Sequence, residues 1–114
     1  MKKPNNGDRL RHILEAVERI ESYLDGYDKQ TFDADTKTQD AVVRQMEIIG
    51  EAATNLTRDL RSKNPQVEWQ IATAMRNRLI HGYFDVDAEI VWDTAQNDLP
   101  ILKTEVEKIL KNLT

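Results

Sequence analysis

The chain contains no cysteine. That absence excludes disulfides, thiolate catalysis and cysteine-ligated zinc or iron–sulfur sites, and it fits a reducing compartment. Four glycines and three prolines are all that interrupt 114 residues, so long regular elements are expected and a linker-rich or low-complexity chain is not. No apolar run approaches the roughly 18 residues of a membrane span. The first residues, MKKPNNGD, hold two lysines with no apolar stretch behind them, unlike a secretory signal. Together these absences predict a cytoplasmic chain with no membrane segment.

What is present is the composition of a globular domain, 39% hydrophobic and 32% charged. The length fits one domain with a core of its own. We expect it to span residues 8–114 behind a flexible N-terminus of residues 1–7. The net charge of −4 argues against generic nucleic-acid binding, because a phosphate backbone rewards lysine and arginine. The charge is uneven, however. Residues 58–81 carry Arg58, Arg61, Lys63, Arg76 and Arg78 against only Asp59 and Glu68, and both flanking regions are acidic. This window is either an exposed helix face or a surface for a polyanion. Under the second reading Arg58, Arg61 and Lys63 are candidate RNA-binding residues.

Helical periodicity dominates. Leu10, Ile13, Leu14, Val17, Ile20, Leu24 and Tyr27 form one apolar stripe, predicting a helix from about Asp8 to Gly26. DKQTFDAD reads as a polar loop. Thr36 with Gln39 three residues on looks like a capping box, opening a helix whose apolar face is Val42, Met46, Ile49, Ala53, Leu56 and Leu60, ending near Lys63. Asn64–Pro65 reads as a cap and first turn of a third helix to His81, with Ile71, Ala72, Met75 and Leu79 inward and Gly82 as terminator. Asp87 is set to cap a fourth, through Ile90, Val91, Trp92 and Leu99, which Pro100 should kink or restart before Leu102, Val106, Ile109 and Leu113. The fold class is all-α, an up-and-down bundle of four to five helices. Gly50 lies inside a helix at a cost of about 1 kcal/mol, a cost best explained by close packing of another helix there.

Metal sites are poorly supported. His12 has Asp8 and Glu15 at helical spacing, a set more typical of a solvated face than of zinc. Glu47 and Glu51 share a helix face without a Glu-x-x-His partner. No phosphate-cradling glycine loop or nucleophile elbow is present, so no metal and no cofactor is expected. The stretch MRNRLIHGYF, residues 75–84, is different. One reading is a helix end covered by His81 and Tyr83, with the histidine favoured by the macrodipole. The other is phosphoryl chemistry, which needs a cationic clamp and a proton carrier. On a regular helix Arg76 and His81 lie about 140° apart, while Asn77 and Arg78 lie beside His81. Convergence of Arg76 on the histidine's target needs a wrapped side chain, a helix ending at His81, or a second chain.

The motif R-N-R-L-I-H-G-Y, residues 76–83, resembles the R-x-x-x-x-H-x-Y signature of HepT-type toxins in the HEPN superfamily. The resemblance extends over most of the chain through RHILEAVERIESY, IIGEAATNL and FDVDAEIVWDTAQNDLPIL. It implies an all-α, dimeric ribonuclease that works without metal and serves as the toxin of a toxin–antitoxin pair. It implies Arg76 and His81 as the catalytic pair, with Asn77, and Arg78 beside it, in support. It further implies that Tyr83 is adenylylated by a cognate minimal nucleotidyltransferase antitoxin. An alternative within the same superfamily is a catalytically silent bundle that serves as binding partner of a nucleotidyltransferase. One histidine cannot easily act as base and acid in a single step, so a homodimer with a shared cleft is expected. The acidic overall balance leaves the extent of an RNA-binding surface open.

Overall fold

Short polar residues start the helices. In the computed structural model, which describes residues 3–76 and 86–113, α1 (Asn6–Tyr23) opens with a reciprocal capping box between Asn5 and Asp8. A second box, Asp28 with Thr31, opens the short α2 (Lys29–Asp33). Asp35 caps α3 (Thr36–Thr54), Thr57 caps α4 (Arg58–Lys63), and Asp87 caps α6 (Ala88–Asp93). In each case a side-chain oxygen accepts a backbone N–H that the first helical turn leaves unpaired. Between α4 and α6 lies α5 (Trp69–Ala74). A π turn at Thr94–Asp98 joins α6 to α7 (Leu99–Leu113).

Every regular element among the described residues is helical, and the chain forms the expected all-α bundle. Three long helices carry it. α1 packs on both α3 and α7, α3 also receives α5, and α2 with α6 closes one end. The core between them holds Leu10, Ile13, Val17 and Ile20 of α1, Val42, Met46 and Ile49 of α3, and Leu102, Val106 and Ile109 of α7, all buried. No helix of the described residues is long and apolar enough to cross a membrane.

The structure corrects several sequence expectations. DKQTFDAD is not a loop: α2 forms within it and buries Phe32 completely, its ring 5.4 Å from that of Trp92. Asp35, not Thr36, caps α3, and Gln39 is no capping partner. It is buried, donating Nε2 to the carbonyls of Phe32 at 2.7 Å and Asp33 at 3.1 Å, which ties the end of α2 to α3. The second helix does not run to Lys63. It stops at Thr54, where Asn55 folds its amide back onto the Glu51 carbonyl at 2.9 Å and Leu56 turns into the core. Thr57 then starts α4 and is tied to α1, because Asn6 Oδ1 accepts its N–H at 3.1 Å.

The third helix starts at Trp69, not Pro65. Asn64 is spent elsewhere: its side chain donates to the Leu60 carbonyl at 2.8 Å, and its own carbonyl accepts the Trp69 indole N–H at 2.9 Å. The α-helix restarts at Leu99, as expected, with Pro100 in the first turn of α7. The π turn precedes it, with the Leu99 N–H bonded five residues back to Thr94, and this wider turn relieves the contact a proline ring makes with the carbonyl four residues earlier. Ile90 and Leu113, expected inward, are exposed. The expected inward face at Leu79 and the helix end at His81 and Gly82 lie outside the described residues.

One local network sets an acid limit on the fold. Tyr27 donates its hydroxyl to Asp35 Oδ2 at 2.6 Å, the Thr38 hydroxyl donates to the same oxygen at 2.7 Å, and the Thr38 N–H donates to Oδ1 at 3.0 Å. These bonds, the tyrosine's foremost, hold the Asp35 carboxyl down at about 2. The unfolded value is about 3.9, so the ionised form favours the folded state. That contribution is complete above the unfolded value and is lost as pH falls through the folded one. Urea midpoints of the wild type should therefore fall between about pH 4 and pH 2, with a smaller fall in Asp35→Asn. A residual slope is expected from Asp8 and Asp28, each lowered chiefly by a backbone N–H of its capping box. Superimposable pH profiles for the two proteins would rule this linkage out.

Candidate active site

The site is built from a missing side chain. A Cβ on Gly50 would lie 2.2 Å from the Arg76 nitrogen, 2.6 Å from its Cα and 2.8 Å from the Met75 carbonyl carbon. Backbone cannot yield as a flexible side-chain tip can, so only glycine permits this contact. The sequence expectation of close packing at Gly50 is met, by the chain just beyond α5. Ala53 and Met75 are buried around the contact, and the Met75 and Arg76 N–H groups continue the turn to Ala72 at 3.3 Å and Thr73 at 3.2 Å. Arg76 therefore leaves α5 with its backbone pressed against α3.

The side chain of Arg76 then runs along the outside of α3. Its Nε donates to Glu51 Oε2 at 3.0 Å, with both side chains about half exposed (52% and 56%). Asn55 donates to the other Glu51 oxygen at 3.2 Å, fixing the carboxylate from behind. A pair this exposed contributes about 0–1 kcal/mol to stability, so its effect is one of aim. Contact through Nε uses one of the five guanidinium donors, and a fork with spare N–H groups can still grip a phosphate.

Arg76 and Glu51 face an open groove of about 530 Å³ between α1 and α3, whose walls also include Arg9, His12, Arg44 and Glu47. Among the residues expected to act, the structure thus places Arg76. Asn77, Arg78, His81 and Tyr83 lie outside the described residues. Arg58, Arg61 and Lys63 sit on α4, and none of them lines this groove. Lys63 pairs with Asp59 at 3.1 Å, and Arg61 Nε is buried with no partner among the described residues. Arg9 and Arg44 were missed by the sequence reading, and His12 was weighed there only as a metal ligand and set aside. Their signal was faint: Arg9 and His12 are three apart and so share a face of α1, but nothing local shows that this face adjoins Arg44 on α3.

Comparison with known proteins places the chain. The family model described as ribonuclease HepT-like matches residues 13–109. The chain belongs to the HepT-like ribonuclease family. It is 41% identical over 109 residues to a Thermococcus cleftensis protein named "Probable ribonuclease HepT", covering 96% of this chain and 99% of that one. A Methanocaldococcus jannaschii protein whose name proposes an RNase is 39% identical over 104 residues, covering 89% of this chain and 86% of its own length. Another from the same organism, whose name joins a gamma-glutamylcyclotransferase to a proposed RNase, is 41% identical over 104 residues. The match covers 91% of this chain but 47% of that longer protein. No solved structure gives a significant match.

The Gly50 contact makes a sharp prediction. On helix propensity alone, Gly50→Ala should stabilise α3 by about 1 kcal/mol. The overlap with Arg76 and Met75 should reverse the sign, with a net loss of about 1–3 kcal/mol as for other overpacked sites. Urea denaturation measures this directly. A more stable alanine variant would show that the two backbones do not meet there.

Proposed function

We propose that this chain is the metal-independent endoribonuclease toxin of a toxin–antitoxin pair, acting on RNA in the cytoplasm. The observation that carries the reading is Arg76: its backbone is seated by Gly50, and its guanidinium is steered by Glu51 along an open, arginine-bearing groove. A ribonuclease needs such a group, because charge develops on the phosphate oxygens as the phosphorus becomes five-coordinate. Membership of a ribonuclease family supports the same conclusion.

In the reaction we propose, a ribose 2′-hydroxyl attacks the adjacent phosphorus and the bond to the 5′-oxygen breaks. The products are a 2′,3′-cyclic phosphate and a free 5′-hydroxyl. His81 moves the proton, from the 2′-hydroxyl or to the departing oxygen, and Arg76 stabilises the five-coordinate phosphorus. Asn77 and Arg78 support them. A homodimer would bring a second His81 to the cleft, so that one imidazole accepts while the other donates. The exposed Ile101 and Leu113 side chains favour a second copy as their cover. His81→Ala and Arg76→Ala should each lower cleavage of a labelled RNA by at least about 100-fold with helical content unchanged. EDTA should have no effect on the wild type. Strict Mg²⁺ dependence, or full activity in His81→Ala, would falsify the mechanism.

Regulation in this reading falls on Tyr83, separated from His81 by Gly82 alone. A cognate nucleotidyltransferase antitoxin would transfer AMP to the phenol oxygen. The added phosphate would compete with the RNA backbone for Arg76 and Arg78 and repel the substrate. Tyr83→Phe should keep its toxicity and show no AMP-sized mass addition after co-expression with the nucleotidyltransferase, whereas the wild type should gain one. An unmodified but fully suppressed wild type would point to occlusion by the antitoxin instead.

A further inference from the structure

The groove beside Arg76 is more than the catalytic arginine needs. Arg9 and His12 enter from α1, Arg44 from α3, and Arg76 from the chain after α5. Several cations elsewhere on the surface are tied to carboxylates: Arg11 to Asp8 at 2.6 Å, Lys63 to Asp59 at 3.1 Å and Lys103 to Glu21 at 2.9 Å. Arg9 and Arg44 make no salt bridge to any described residue. The two acids of the groove do not cancel them. Glu51 is committed to Arg76, and Glu47 is not free either. Two arginines with no acid partner among the described residues therefore face a polar cleft in a chain whose overall charge is −4.

Resting on the ribonuclease reading, we infer that Arg9 and Arg44 hold the RNA backbone at phosphates neighbouring the one cleaved, making the α1–α3 groove the entry track for a single strand. Spacing supports a strand over a single anion. Arg44 and Glu51 are seven residues apart on one helix, about 10 Å along its axis. That separation leaves room along the groove for more than one phosphate, one at Arg76 and the next at Arg44. A groove of about 530 Å³ also exceeds what an inorganic anion fills. His12, one turn beyond Arg9, offers a flat imidazole wall against which an unstacked base can rest. None of these residues belongs to the basic window of the sequence, so the track is assembled by folding.

The test separates binding from chemistry. A labelled single-stranded RNA with 2′-O-methyl riboses cannot be cleaved by 2′-oxygen attack, and its affinity can be read by fluorescence anisotropy across a salt series. The double variant Arg9→Ala/Arg44→Ala should bind about tenfold more weakly at moderate salt. The slope of log affinity against log salt should shrink by about 1.4, since each lost single-strand phosphate contact removes about 0.7. Arg9→Lys/Arg44→Lys keeps the charge and should recover most of the affinity, which also controls for misfolding. Single-turnover cleavage of natural RNA at saturation should match the wild type. Unchanged affinity and slope in a folded alanine variant would overturn the track and leave the ribonuclease reading intact. A wild type that neither binds nor cleaves RNA would remove that reading, and the track with it.

Discussion

Contact between two backbones organises this molecule. At Gly50 the third helix presents no side chain, and the chain after α5 lies directly on it. The same helix buries Val42, Met46 and Ile49 against α1 and carries Arg44, Glu47 and Glu51 on its outer side. One rod thus serves the core, the seat of Arg76 and the wall of the groove. The position of Arg76 depends little on its exposed ion pair and strongly on steric contact, which neither salt nor pH weakens. Arg76 is placed by packing and only aimed by charge.

That division explains how an acidic protein can present a cationic groove. Long-range attraction between this chain and a polyanion is weak, because the net charge repels and the field is screened beyond about 10 Å. On the proposed reading attraction acts locally, through guanidinium groups left unpaired by the acids among the described residues. Such an arrangement, on that same reading, favours discrimination over capture: a strand would gain only when its phosphates fall into register with particular arginines.

Much of the fold was legible in the sequence because its long helices are strongly periodic. The stripe from Leu10 to Ile20, the face from Val42 to Ala53, the cap at Asp87 and the run from Leu99 to Ile109 all follow from apolar spacing and polar caps. The errors lie where a polar residue has more than one possible partner. Asn64 bonds backward to α4 and does not open a new helix, and Gln39 reaches a neighbouring helix end and not its own cap. The Asp28–Thr31 box was readable in principle, but a single buried phenylalanine in eight mostly polar residues carries little periodic signal. At the site, the motif arginine and the packing glycine were both visible. The groove was not, since Arg9 and Arg44 meet only through the pairing of two helices.

The π turn before Pro100 has a consequence for how the last third of the chain is wired. α6 faces α2 and α3, whereas α7 faces α1, yet the two run on through the turn without a loop. A regular helix advances about 100° per residue and would hold both segments to one fixed phase. The wider turn inserts a rotational offset, so the rod behaves as a shaft with a built-in keyway, each half clocked to its own partner.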